Sequence, residues 1–189
     1  MLLISNTNAI AQEGKKIKIE YADFGDKNEE VLPGVALLTG NVRVSQEGLV
    51  LTCNKAYYYE KENYVKAFGD VQMVQGDTLY LNSKYAEYNG NIRQAFASGE
   101  VIMRSPESVL VTDVINFDRN SQQAFYTTKG TITNAENTLE SNEGRYFVNQ
   151  KKFQFRSAVV ITNPKYVIKT NHLDYYTNSG HSYLYGPSP

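Results

Sequence analysis

The sequence has no tryptophan, one cysteine, two histidines and five prolines in 189 residues. A single cysteine, Cys53, forbids an internal disulfide and so excludes a disulfide scaffold. No unbroken apolar stretch exceeds the four residues of Val35-Ala-Leu-Leu38. A membrane-spanning helix needs about 20. Lysine and arginine number 19 against 20 aspartates and glutamates, which leaves no basic excess to hold nucleic acid. Neither G-x-S-x-G nor H-E-x-x-H occurs, and there is no glycine-rich phosphate loop or paired-cysteine spacing, so no catalytic motif, cofactor or metal is expected. What the chain does have is 15 tyrosines and 13 glycines, with an apolar fraction of 41%. That composition favours strands joined by tight turns. The length suits one domain with a sizeable core.

The first residues resemble the tail of a secretory leader. Met1-Leu2-Leu3-Ile4 precedes a small-x-small site at Ala9-Ile10-Ala11. Residues 1–11 are therefore read as a signal-peptide remnant or disordered tail, and residues 12–189 as one domain exported to the cell envelope.

Internal repetition dominates the rest. A small residue stands ahead of a β-branched stretch at Gly40, Gly69, Gly99, Gly130 and Ala158, with spacings of 29, 30, 31 and 28. A second column, Cys53, Ser83, Thr112, Ser141 and Thr170, recurs at 30, 29, 29 and 29. Two residues earlier stand Leu51, Leu81, Leu110, Leu139 and Ile168; three later stand Ala56, Ala86, Ile115, Gly144 and Leu173. Five later comes an aromatic column of Tyr58, Tyr88, Phe117, Tyr146 and Tyr175. The opening stretch repeats these offsets at Ile17, Ile19, Ala22 and Phe24, followed by an expected loop over 25–34. Such units bury too little alone and gain stability by stacking.

Within a unit the hydrophobic period is two. Val42 and Val44 share a parity with Leu49 and Leu51, and Val71 and Met73 with Leu79 and Leu81. Gln46-Glu-Gly48, Gln75-Gly-Asp77, Asn89-Gly90 and Ser179-Gly180 are turn signals. Each unit should thus hold three or four strands of about 5 residues, and the fold class is all-β. The leucine column should form an aliphatic ladder inside the stack. The last strand candidate, Ser182-Tyr-Leu-Tyr185, carries no blocking proline or charge, so an open edge for pairing is expected there.

Chemistry-bearing residues are few. Cys53 shares its column with serines and threonines and is read as a small inward residue. His172 falls in a slot held elsewhere by Lys55, Tyr85, Val114 and Glu143, and is read as a solvated turn residue. Tyr57 to Tyr59 with Lys55 and Lys61 is the nearest approach to a lyase-type cluster. Yet Tyr58 belongs to the repeat, so no enzyme is inferred. Outward tyrosines, taken as Tyr57, Tyr59 and Tyr126, suit the alternative of a carbohydrate- or protein-binding module with a closed core.

Leu38-Thr-Gly-Asn-Val42, Leu51-Thr-Cys-Asn-Lys-Ala-Tyr-Tyr58, Ala67-Phe-Gly-Asp-Val71, Gln75-Gly-Asp-Thr78 and Tyr85-Ala-Glu-Tyr88 resemble the OstA-like family of lipopolysaccharide-transport bridge proteins in its Bacteroidetes-type form. The resemblance spans roughly residues 15–186. It implies an open, twisted β-jellyroll, solenoid-like, built from about five 29-residue repeats, whose two sheets form a V-shaped trough. It also implies a non-enzymatic periplasmic carrier of lipid acyl chains, acting in outer-membrane biogenesis. Its implied partners are lipopolysaccharide, other transport proteins joined by edge-strand pairing, and copies of itself stacked end to end. The interior trough candidates are then Val42, Val44, Leu51, Val71, Met73, Leu81, Val101, Met103, Leu110, Ile132 and Leu139. A trough and a packed core read alike from these side chains. Asn134 and Asn137, polar at core parity, mark residues 130–145 as where the sheets should splay. Lys55, Lys61, Lys84 and Arg104 are read as loop cations, each best explained as a solvated surface residue, with phosphate at the rim as the alternative. With neither an anchor helix nor a long barrel-forming segment, a soluble bridge or a soluble fragment is the expectation.

Overall fold

The computed structural model describes residues 15–186 other than positions 31, 77, 78 and 107; residues 1–11 lie outside the described residues. Those described form strands and turns, without a helix. After β1 (Lys18–Tyr21) and β2 (Phe24–Asp26) come six long strands: β3 (Val35–Gln46), β4 (Leu49–Tyr59), β5 (Tyr64–Gln75), β6 (Leu79–Asn89), β7 (Gln94–Arg104) and β8 (Val109–Asp118). Four short strands follow: β9 (Gln123–Tyr126), β10 (Gly130–Thr133), β11 (Thr138–Ser141) and β12 (Glu143–Phe147). The chain ends with β13 (Lys152–Asn163), β14 (Tyr166–Tyr176) and β15 (Ser182–Tyr185). All pair antiparallel in one 15-stranded sheet.

A unit therefore holds two strands, each bent at its middle. In β3, β5 and β7 the bend is the doublet Gly40-Asn41, Gly69-Asp70 or Gly99-Glu100, with both residues at positive φ. Glycine suits the first position because the left-handed region crowds a Cβ against the following carbonyl; β13 makes the same bend at Ser157-Ala158, both also at positive φ. Pairing skips the doublet, as between Thr39 and Val42. In the alternate strands a short side chain supports the bend by donating to the carbonyl two residues on. Cys53 Sγ reaches Lys55 at 3.2 Å, Ser83 reaches Tyr85 at 3.0 Å, Thr112 reaches Val114 at 3.4 Å, Ser141 reaches Glu143 at 2.9 Å and Thr170 reaches His172 at 3.2 Å. The column thus selects a short donor, which explains a cysteine among hydroxyls. Burial pushes the Cys53 thiol pKa up and keeps it protonated.

The bends fold the sheet into two leaves. Leaf A holds the halves nearest Val35 and Tyr59; leaf B holds those nearest Gln46 and Leu49. The backbone ladders run within each leaf. Leaf B carries an unbroken aliphatic ladder of facing pairs: Val44, Leu51, Met73, Leu81, Met103, Leu110, Ile132, Leu139, Ile161 and Ile168. Facing it, leaf A begins with Leu38, Ala56, Ala67, Ala86 and Ala97, all buried. The aromatic column lies beside these on leaf A and points inward.

Two sequence alignments need correcting. Register places Val42, Val71, Val101, Gly130 and Val159 at one position, opposite Cys53, Ser83, Thr112, Ser141 and Thr170. Gly130 is therefore equivalent to the valines and not to Gly40, and the first column slips at Gly130 and Ala158 because both are small. In the opening stretch Ile17 is buried as Leu51 is, but Phe24 is 75% exposed, unlike Tyr58. The loop also starts after Asp26, because β2 pairs with β3 at the margin of leaf A.

Candidate functional site

The two leaves meet along the bends and open along their turns, so the turns form a long mouth. From β3 to β8 that mouth is closed by a polar zipper. Arg119, 3% exposed, follows β8 on the rim of leaf A and reaches across to leaf B. Its Nε donates to Gln75 Oε1 at 2.9 Å, Nη2 to the Glu47 carbonyl at 2.8 Å, and Nη1 to the Tyr88 hydroxyl at 2.6 Å. Gln46 accepts from the Tyr88 hydroxyl and donates to the Gly90 carbonyl at 3.1 Å. Arg93 crosses the mouth to Glu47 at 3.4 Å. Asn63 Oδ1 accepts the Ile17 amide at 2.7 Å, which docks the opening segment onto the same seam. Burial raises the Tyr88 pKa, with Arg119 and Arg93 pulling the other way. Gln46, Asn63, Tyr88 and Arg119 are buried, so the bonds among them count for more than at a surface.

From β10 onward the mouth is open. A cleft of about 640 Å³ runs between the leaves. Leaf A supplies Phe153, Phe155, Leu173 and Tyr175, and leaf B supplies Ile132, Leu139, Ile161 and Ile168. Leu184 of β15 stands at the far lip, 40% exposed. Asn134 and Asn137 belong to the rim turn between β10 and β11, where Asn134 Oδ1 caps the amides of Glu136 and Asn137. Their polarity marks a turn at the edge of the cleft and not a wet core position. The facing row changes in volume as well: Ala56, Ala67, Ala86 and Ala97 in the closed half, flanked by Leu38 and Ile115, give way to Phe155 and Leu173. Phe153 and Phe155 stack at 5.6 Å and 7°.

Of the eleven interior candidates, Val42, Val44, Leu51, Val71, Met73, Leu81, Val101, Met103 and Leu110 lie buried in the closed half. Ile132 and Leu139 line the cleft. The sequence reading passed over Phe153, Phe155 and Ile161, although the alternation of Phe153, Phe155 and later Val159 and Ile161 was a usable signal. Tyr126 is not outward. It is 3% exposed, and its hydroxyl meets Ser141 Oγ at 2.7 Å. Burial pushes its pKa up to about 12 against that hydrogen bond. His172 is a half-buried residue of β14, 3.0 Å from Asp174 Oδ1, and not a turn residue. Asp174 is pushed up by burial, but bonds from Gln154 and His172 and the nearby Lys152 hold its pKa below the usual carboxylate range. Lys55, Lys84 and Arg104 sit on strands, Lys84 beside Glu100 at 3.4 Å and Arg104 on Asn82 at 3.2 Å; Lys61 alone is in a turn. Tyr57 lies on the outer face of leaf A, edge-on to Phe68 at 5.9 Å and under the Lys55 ammonium at 4.9 Å.

No curated protein matches the chain. Among solved structures it is similar to LptH, the LptA-homologous periplasmic component of the lipopolysaccharide transport device of Pseudomonas aeruginosa. The identity is 14% over 94% of this chain and 92% of that one, with a TM-score of 0.26. A profile of the family described as OstA-like protein matches residues 14–171, which takes in every strand from β1 to β13 and just over half of β14. The chain belongs to the OstA-like family.

Proposed function

We propose that this protein is a non-enzymatic carrier of lipopolysaccharide in the periplasm, holding acyl chains between its leaves as one module of a protein bridge to the outer membrane. The carrying observation is the apolar cleft between β10 and β15, open along its rim turns. Burying apolar surface there contributes about 25 cal/mol per Å², and a pocket of several hundred Å³ with a polar rim is the usual form of a small-ligand site. Ile132 and Leu139 would touch the acyl chains, together with Phe153, Phe155, Ile161 and Ile168, while the other nine candidates form the core that anchors the module. Residues 12–189 act as one domain. The edges fit serial assembly: among the described residues β15 pairs only with β14, and it exposes Tyr183, Leu184 and Tyr185. At the other end Ile19, Tyr21 and Phe24 are exposed on β1 and β2. Such edges template pairing with another chain, here a transport partner or a second copy.

Native mass spectrometry of delipidated protein titrated with lipopolysaccharide, with lipid-free polysaccharide as control, tests this. Lipid-dependent binding that Ile168→Glu abolishes supports the carrier. Equal binding of both ligands, or of neither, overturns it.

A further inference from the structure

The cleft ends where the repeat is broken, and the break is a trade of volumes. On leaf A, Ala67 and Ala97 occupy the position that Tyr126 takes in β9, as the facing pairs Ala56–Ala67 and Gly144–Tyr126 show. Two neighbours shrink to admit the ring. Gly130 stands where Val42, Val71 and Val101 stand, and Gly144 stands where Ala56 and Ala86 stand. A Cβ at either glycine would collide with the Tyr126 ring. Neither glycine is at positive φ, so neither is there for the backbone. Beside Tyr126 the stacked pair Tyr146 and Phe153, 4.2 Å apart and inclined by 21°, continues the obstruction along the aromatic row. Phe153 faces the cleft on one side. On its other side Phe153 borders a void of about 10 Å³, shared with Tyr126, Tyr146, Met103, Leu110 and Ile115.

We infer that Phe153, backed by Tyr146 and Tyr126, is the end wall of the acyl trough and sets the chain length that the protein accepts. This rests on the carrier reading above. From β10 to β14 the leaf B floor crosses four strands, a run of about 14 Å at the ordinary strand spacing. An acyl chain lying along the stack stops at the wall and cannot enter the alanine-lined half. The Tyr126 hydroxyl gives the wall a fixed position, because its bond to Ser141 uses the same side chain that supports the bend between β11 and β12. Replacing Tyr126 by the alanine of the repeat empties the space beside Gly130 and Gly144, enlarges the void behind Phe153 and lets that ring recede, which lengthens the trough.

The test measures affinity of delipidated protein for saturated fatty acids from decanoate to stearate. In the wild type, affinity rises with chain length and then stops rising once the chain fills the trough. Tyr126→Ala is expected to raise the stearate-to-laurate affinity ratio at least tenfold. The triple variant Tyr126→Ala/Gly130→Val/Gly144→Ala refills the space as the other units do, and should return the ratio to the wild-type value. Phe153→Leu is a milder second probe and should raise the ratio without threatening the fold. Binding with an unchanged ratio in Tyr126→Ala and Phe153→Leu overturns the end wall and leaves the trough standing. No binding of any fatty acid by the wild type overturns the trough itself.

Discussion

The first half of the stack and the last half use the same ladder and the same bends, yet one is sealed and the other open. Three differences separate them. Leaf A faces the ladder with Ala56, Ala67, Ala86 and Ala97 in the first half, and with Phe155 and Leu173 in the second. Across the mouth, Arg119, Gln46 and Tyr88 lace the rims of the first half together, while Asn134, Thr177 and Gly180 border an open cleft in the second. Small residues let sheets approach closely; large aromatic ones hold them apart. Core and container thus differ in the facing row, in the lacing of the rim and in the strands themselves, which are split into β9 to β12 where the open half begins.

The largest effects should come from the sealed half. Leu81→Asp places a charge in the middle of the ladder, at a site 2% exposed. It is expected to unfold the chain or lower its melting temperature sharply, since burying an unpaired carboxylate costs at least several kcal/mol. An unchanged thermal melt would remove Leu81 from the core. Arg119→Ala strips three partners from the seam and should cost about 3 kcal/mol in denaturant unfolding, hydrogen bonds to charged groups being worth about 1.5–3 kcal/mol each. Ser182→Ala in the open half should stay within about 0.5 kcal/mol of wild type. Equal losses in the two variants would dissolve the contrast between the halves.

At the junction of the halves, Tyr126 links stability to alkaline pH. Its folded pKa is raised, so the folded state keeps a proton that the unfolded chain gives up. That stabilisation is complete below the ordinary tyrosine pKa near 10 and disappears as pH rises through about 12. The stability of Tyr126→Phe relative to wild type should therefore improve by about 2 kcal/mol across that window, and a flat difference would place the phenol in water. The smallest contrast is dynamic. Amides of β10 and β11 should exchange with solvent faster than those of β5 and β6, because their strands are short and one rim is open. Slower exchange there would contradict a loosened second half.

Much of the frame was readable from residue order alone. The period of two gave the ladder because leaf B has one apolar face throughout, and the short-donor column survived all five units because each bend needs the same hydrogen bond. The position of the bends themselves was harder. Gly130 resembled Gly40 in type, but it is glycine to make room for a ring and not to turn the backbone, and only the pairing register separates these causes. Burial of Tyr126 was legible: it shares its parity with Ala124 and Ile132, both buried, so the alternation alone marks it as inward. The candidate site was half legible. Ile132 and Leu139 belong to the ladder, but the sequence marks a ladder residue identically whether its opposite neighbour is Ala86 or Phe155. The zipper is invisible in sequence because Gln46, Tyr88 and Arg119 are brought together by stacking of separate units.

Methyl nuclear magnetic resonance of the delipidated protein during titration with lipopolysaccharide tests the central claim most directly, since it perturbs no packing. The account predicts shifts confined to the methyls of Ile132, Leu139, Ile161, Ile168, Leu173 and Leu184, with those of Val42, Leu51, Val65, Val71 and Leu81 unmoved. Shifts of equal size in the two groups would contradict it, because lipid would then enter the half that the alanine row and the Arg119 seam are held to close.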